Sequence, residues 1–207
     1  MLIETFTVGM LSTNCYVASC HDTKEAIIID PGLDYYSEAQ SILDYIEQAQ
    51  LKIKYIINTH GHSDHIKGDE IFQEKFNVPI CIHKLDAYFI ESLQTDKTPV
   101  PILLEEGSLI QFGKETLKVI HTPGHTRGCI CLLGDHLIFT GDTLFAGGIG
   151  RTDFPEGSML DMTRSLRKLE ALPDALIIYP GHGETSMMGE EKRVNPFFEH
   201  RSPDLLY

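Results

Sequence analysis

Residues 59–65 read Thr-His-Gly-His-Ser-Asp-His and place four metal-binding side chains within six positions. They follow Ile-Lys-Tyr-Ile-Ile-Asn, a mostly apolar run that predicts a short buried strand. In an extended chain alternate side chains point the same way, so His60, His62 and Asp64 could converge while His65 faces a second point. Four ligands exceed what one tetrahedral ion with an open position needs. The segment therefore predicts more than one metal ion.

Three further side chains of ligand type lie at the ends of other predicted strands. His121 ends a strand predicted over residues 115–121, and Asp142 and His182 each follow a glycine at a strand end. Loops that leave a strand are anchored on one side and can hold ligand atoms in fixed positions. Seven nitrogen and oxygen ligands suit two divalent ions that share one bridging carboxylate, with a water or hydroxide between them. Such a site would accept zinc, iron or manganese.

The order of predicted elements indicates an α/β fold. Three strands come first, and apolar residues at helical spacing then predict a helix over residues 35–48. Strands and helices continue in irregular alternation, and Ser158 caps a helix that runs to about residue 172. This order fits two sheets packed face to face with helices outside. No linker interrupts residues 1–207, so one domain is expected.

Composition narrows the functional classes. The 207 residues carry a formal net charge of −13, which disfavours binding to a nucleic acid backbone. No apolar run approaches the length of a membrane span, so no membrane partner is expected. The cysteines are odd in number and form no CxxC pair, and most of them lie in apolar segments of the sequence. This pattern indicates buried thiols in a reducing compartment. The first residues do not resemble a secretory signal, so we expect a cytoplasmic protein.

The motifs together resemble those of the metallo-β-lactamase-fold hydrolases, and more narrowly the glyoxalase II (hydroxyacylglutathione hydrolase) branch. They are THGHSDH at 59–65, HTPGHT at 121–126, GDTLF at 141–145 and GHG at 181–183. The stretches IGRTDFP at 149–155 and EKRVNPF at 191–197 are similar to those of short, single-domain members. The resemblance spans nearly the whole chain.

This resemblance implies an αββα sandwich of two mixed sheets with two metal ions, most often zinc, at one edge. The first ion would be bound by His60, His62 and His121, and the second by Asp64, His65 and His182, with Asp142 bridging. A metal-bridging hydroxide would attack the carbonyl of a small-molecule thioester, and Asp64 would orient it as the catalytic carboxylate. His125 is expected near the site, with a role in supporting a ligand or none.

Substrate recognition is less specific in the sequence. Arg151 occupies the position where glyoxalase II carries a lysine that contacts glutathione, or it forms a structural salt bridge with Asp153 or Glu156. Glu184 follows His182 by two residues, where the family has a tyrosine near the thiol, and we expect no counterpart of the family's helical C-terminal domain. We therefore expect reduced selectivity for glutathione. The sequence leaves open whether the chain forms a homodimer.

A persulfide dioxygenase is the alternative that the same motifs allow. That branch resembles this chain at residues 150–154 and would bind one Fe(II) through His60, His121 and Asp142. Its other ligand-type side chains persist without holding metal, so the seven residues do not separate the two activities. Metal content does: one iron with oxygen uptake indicates the dioxygenase, and two ions with thioester cleavage indicate the hydrolase.

Overall fold

The fold is that of a computed structural model, which describes residues 1–93, 95 and 98–198, without the side chains of residues 92 and 93. Its first sheet has six strands that stand in chain order. They are β1 (Leu2–Val8), β2 (Thr13–Ser19), β3 (Glu25–Ile29), β4 (Lys52–Ile57), β5 (Ile80–His83) and β6 (Ile102–Leu104). The first three strands pair antiparallel, and β3 to β6 pair parallel.

The second sheet is also mixed and also has six strands. They are β7 (Leu109–Phe112), β8 (Glu115–His121), β9 (Ile130–Leu133), β10 (Leu137–Gly141), β11 (Ile177–Pro180) and β12 (Ser186–Met187). The spatial order is β12-β11-β10-β9-β8-β7, and only β10 and β11 pair parallel. Strand β8 ends at His121, as predicted, and this end point bears on which histidine reaches the site described below.

Helices cover the outer face of each sheet. They are α1 (Tyr36–Gln48), α2 (Ser63–Ile66), α3 (Asp69–Phe76), a 3-10 helix (Ala87–Leu93), α4 (Met159–Glu170) and α5 (Met188–Val194). Helices α1 and α3 bury Ile42 and Phe72 against the first sheet, whereas α4 buries Leu166 against the second. Rings such as Tyr16 and Phe139 fill the space between the sheets. The predicted αββα sandwich of two mixed sheets is confirmed.

The structure differs from the predicted elements in three places. The sequence predicts one helix that follows the histidine-rich segment and runs through Phe76, but the structure has two, α2 and α3, because the chain bends at Gly68. A Cβ on Gly68 would lie 2.3 Å from the carbonyl oxygen of Pro31, and the Gly68 N–H donates to that oxygen at 2.7 Å. Strands β6 and β12 were not predicted, because they have three and two residues. Ser158 does cap α4, since its side chain accepts from the Asp161 N–H.

The ends of β4, β10 and β11 meet at one edge of the sandwich, where backbone hydrogen bonds join the two sheets. The Asn14 N–H donates to the Gly181 carbonyl at 2.8 Å, and the Ile130 N–H donates to the Thr59 carbonyl at 2.9 Å. Thr13 and His182 form an isolated β-bridge at the same edge. The loops that leave the three strands therefore stand side by side.

The structure also bears on the predictions for the cysteines and for membrane spans. All five cysteines are buried and unpaired, as their apolar surroundings predicted. Within the part of the chain that the structure describes, no helix is both long enough and apolar enough to span a membrane.

Candidate metal centre

Seven side chains converge at this edge in three overlapping groups of potential ligands. Within each group one nitrogen or oxygen atom per residue lies within 4.8 Å of the others. The first group is His60, His62 and His125, the second is Asp64, His65 and His182, and a third, His60 with His65 and Asp142, overlaps both. The loop after β4 supplies four of these residues, and the second sheet supplies the other three.

The first group brings three imidazole nitrogens together. His62 Nδ1 lies 2.8 Å from His125 Nε2 and 3.1 Å from His60 Nε2. Burial, followed by the charges of neighbouring histidines, lowers the pKa of His60 well below its usual value, and burial also lowers that of His62. Neutral imidazoles that share one point are the donors that zinc and similar cations bind.

The second group combines a carboxylate with two histidines. His182 Nε2 lies 3.3 Å from Asp64 Oδ2 and 3.3 Å from His65 Nε2. Burial opposes ionisation of Asp64, but the hydrogen bond from His182 and the charge of His65 outweigh it and lower the pKa of Asp64. Asp64 is therefore ionised at neutral pH and can serve as an anionic ligand.

Asp142 stands between the two groups. Its Oδ2 lies 3.4 Å from His125 Nε2 and 3.7 Å from His182 Nε2, and its Oδ1 lies 3.4 Å from His65 Nε2. Oδ1 is buried and has no hydrogen-bond partner in the structure. A buried carboxylate oxygen without a partner is costly, and a cation is a partner that removes the cost. The residues present thus fit a pair of divalent ions with Asp142 between them.

In His125 and His182, the ring nitrogen that does not face the centre is hydrogen-bonded to a backbone carbonyl. His125 Nδ1 lies 2.7 Å from the Arg151 carbonyl, and His182 Nδ1 lies 3.0 Å from the Leu11 carbonyl. A carbonyl only accepts, so each Nδ1 carries a proton and donates to it, and in the neutral ring Nε2 can present its lone pair to a cation. These contacts fix both the tautomer and the direction of the two rings.

Asp30 supports the centre from below, although no sequence motif marked it. It is buried, and it accepts hydrogen bonds from the Thr59 N–H and hydroxyl, both at 2.7 Å. Its Oδ2 also lies 3.0 Å from His65 Nδ1. Burial lowers the pKa of His65, but the charges of Asp30 and Asp142 outweigh it and raise that pKa to about 9. Asp30 therefore orients His65 and the residue before His60.

Asp86 joins the two loops that carry the first group. Its carboxylate accepts hydrogen bonds from the Gly61 N–H at 3.0 Å, the Thr126 hydroxyl at 2.6 Å and the Gly128 N–H at 2.8 Å. Gly61 lies between two of the predicted ligands, and Thr126 follows His125. This role was not visible in the sequence, because residue 86 lies in none of the ligand motifs.

The structure places one predicted ligand, His121, apart from the other six. His121 does not belong to any of the three groups: its ring stacks on His83 with centroids 4.0 Å apart, and its Nε2 lies 2.8 Å from the Arg127 carbonyl. His121 is still part of β8, where it pairs with Ile130. The chain leaves the strand only at Thr-Pro-Gly, so His125, after that turn, is the residue whose side chain reaches the centre. The other six predicted ligands are brought together.

Arg151 lines the cleft in front of the centre but is already paired. Its Nε and Nη2 each lie 2.9 Å from an oxygen of Asp153, so the salt bridge is with that residue and not with Glu156. The cleft has a volume of about 580 Å³. Besides residues of the centre, its walls include Leu11, Phe145, Ile149, Phe154 and Glu156.

Comparison with known proteins identifies the superfamily of the chain. The metallo-beta-lactamase superfamily model matches residues 8–182. The hydroxyacylglutathione hydrolase GloC of Haemophilus influenzae is 36% identical over 217 positions, which cover 98% of this chain and 100% of that protein. The mitochondrial persulfide dioxygenase ETHE1 of Bos taurus is 34% identical over 89% of this chain and 70% of its own length.

Solved structures give the same result for the fold. The crystal structure of BLEG-1, a B3 metallo-beta-lactamase, superposes with a TM-score of 0.83 at 30% identity, covering 96% of this chain and 100% of that one. Relatives with different named activities are thus about equally similar to this chain. What they share is the superfamily, and this chain belongs to the metallo-β-lactamase superfamily.

Proposed function

We propose that the chain is a metal-dependent hydrolase that cleaves small-molecule thioesters with two divalent cations. The complete second group, Asp64, His65 and His182, supplies the ligands for a second cation beside the first, although these ligands alone do not separate a hydrolase from a one-iron dioxygenase. The named activity of GloC, at 36% identity over the whole of that protein, supports a thioester substrate.

The residues divide naturally between the two ions. His60, His62 and His125 would hold the first, and Asp64, His65 and His182 the second. Asp142 faces both groups and would bridge. Zinc fits this set of nitrogen and oxygen donors best, and iron or manganese would also bind it. When bound, a pair of such cations supplies an acidified water and a Lewis acid for a carbonyl oxygen.

The chain's own groups prepare the reaction around that pair. The ionised carboxylate of Asp64 lines the cleft, accepts a hydrogen bond, and would orient the attacking water towards the thioester carbonyl. Asp142 and the fixed rings of His125 and His182 hold the ligand atoms in place, so little reorganisation is needed when substrate binds. A thiolate leaving group needs little protonation, because thiol pKa values lie near about 8.5.

A second candidate, a one-iron persulfide dioxygenase, is supported by the similarity to ETHE1. Both candidates are tested on one sample of protein purified without oxygen. Metals are quantified by mass spectrometry, thioester cleavage by released thiol, and persulfide oxidation by oxygen uptake. We expect two ions per chain, thioester cleavage and no oxygen uptake with persulfide. One iron per chain with oxygen uptake and without thioester cleavage would overturn the proposal.

The variant Asp64→Ala sharpens the same experiment. It should abolish thioester cleavage and reduce metal content towards one ion per chain. The matched control Asp22→Ala removes a carboxylate that is exposed, pairs with Lys114 and lies outside the cleft, and should leave both readouts at the wild-type level.

A further inference from the structure

Aromatic rings flank the candidate metal centre on both sides. The ring of Phe154 lies edge-on to His62 and His125, with centroids 5.4 and 5.8 Å apart. On the other side, the ring of Phe145 lies edge-on to His182, with centroids 6.0 Å apart. Whichever way a thioester lies across the centre, the parts on either side of its carbonyl therefore meet an apolar wall.

Away from the proposed cations, the charged side chains of the cleft offer an anionic substrate little attraction. Among the described residues that line it, Arg151 is the only lysine or arginine, and Glu156 contributes a carboxylate. Both Arg151 nitrogens that face Asp153 are engaged in a bidentate pair, and its guanidinium stacks 4.5 Å over the Phe154 ring. A substrate carboxylate that approached Arg151 would meet the Asp153 carboxylate as well.

Building on the thioesterase function proposed above, we propose that the cleft selects thioesters whose thiol portion is apolar and uncharged. Asp153 is the residue that sets this selectivity, because it pairs with Arg151, the guanidinium that an anionic thiol such as glutathione would use among the described lining residues. Glutathione carries more carboxylates than ammonium groups; beyond the metal centre it would meet, among the described lining residues, only the already paired Arg151 as a cationic side chain, and it would lie beside Glu156. An uncharged thiol portion would instead pack against Phe145, Ile149 and Phe154.

The first test compares two thioesters that share the lactoyl group, one of glutathione and one of the uncharged thiol N-acetylcysteamine. We expect wild-type protein to prefer the uncharged thioester by at least about fivefold in kcat/KM, the scale on which an uncompensated like charge acts at a partly exposed site. Equal values, or a preference for the glutathione thioester, would overturn the inference.

The second test changes Asp153. The variant Asp153→Asn releases Arg151, and the preference for the uncharged thioester should fall about threefold, which is the range measured for exposed charge pairs. The double variant Asp153→Asn/Arg151→Gln is the matched control, and it should restore the wild-type preference because the released cation is gone. A preference that falls equally in the single and double variants would show that Asp153 does not act through Arg151.

Binding of uncleavable thioethers separates this inference from the proposed function. Calorimetry on the metal-loaded protein compares S-hexylglutathione with the hexyl thioether of N-acetylcysteamine. Tighter binding of the uncharged thioether is expected, even if neither thioester is cleaved, in which case only the proposed function would be wrong. Tighter binding of S-hexylglutathione by a protein that does cleave thioesters would overturn the inference and leave the function standing.

Discussion

His121 and His125 belong to one six-residue segment, yet their side chains make different contacts. His125 Nε2 points into the metal centre, 2.8 Å from His62 Nδ1. His121 points away from it and stacks on His83, while its backbone N–H donates to Glu106 and its carbonyl accepts from Lys168. The first histidine thus ties β8 to its surroundings, and the second faces the candidate metal centre. A position at the end of a strand is not enough to make a ligand; the turn that follows decides which side chain arrives.

The largest effect that tests this difference is loss of a ligand. His125→Ala should remove one of the three imidazoles of the first group, weaken binding of one ion by at least about a hundredfold, and abolish thioester cleavage. His121→Ala is the matched variant four positions away and should retain two ions per chain. Metal content and hydrolysis of both proteins check this. Retention of two ions by His125→Ala together with loss of one by His121→Ala would restore the ligand set predicted from the sequence.

An intermediate effect is expected from the carboxylate that connects the two ligand loops. Asp86→Asn replaces an acceptor of three hydrogen bonds with a group that has one acceptor and an N–H₂, so at least one donor loses its partner. We expect metal affinity to fall about 10- to 100-fold while all seven ligands remain. Competition with a chelator measures the affinity. Glu105→Gln, in an exposed pair with Lys84, serves as the control and should change the affinity by less than about twofold.

The smallest effect concerns the His83–His121 pair and appears as a pH dependence of stability. Burial, then the charges of His121 and Lys84, lowers the pKa of His83 to about 4. An unfolded histidine has a pKa of about 6.5, so between these values the unfolded chain binds the extra proton. Stability from this group is therefore complete above about pH 6.5 and is lost as pH falls towards 4, by an amount on the order of 1–3 kcal/mol.

The variant His83→Phe keeps a ring against His121 but cannot titrate. Urea denaturation at pH 7 and pH 4.5 should show that the variant loses less free energy of unfolding on acidification than the wild type. An equal loss in both proteins would mean that His83 is not held neutral in the fold.

The same comparison explains what could be predicted from the sequence. His60, His62, Asp64 and His65 follow one strand within six residues, so their convergence required only the end of β4 to be placed correctly. Asp142 and His182 follow glycines at strand ends, which the turn signals located. These local features also predicted most strands and the helices α1 and α4, because hydrophobic periodicity reflects burial directly.

What could not be predicted depends on contacts between distant segments. The choice of His125 over His121 rests on how the chain turns after β8. Asp30 accepts a hydrogen bond from a residue 29 positions away, and Asp86 accepts from residues 25 and 42 positions away. Nothing near either aspartate in the sequence signals those partners. Strand β6, only three residues long, follows a stretch with two prolines and pairs at the edge of its sheet, where strand signals are weakest.

The hydrogen bonds that join the two sheets at the Thr13–His182 bridge have a thermodynamic consequence. Four of the candidate ligands follow a strand of the first sheet, and three lie on loops of the second sheet. An unfolded chain therefore cannot present them together. Ion binding therefore couples to docking of the two halves, and a hundredfold excess of free metal over its Kd would add about 2.7 kcal/mol to the folded state. The melting temperature of this protein should consequently report how much metal it carries.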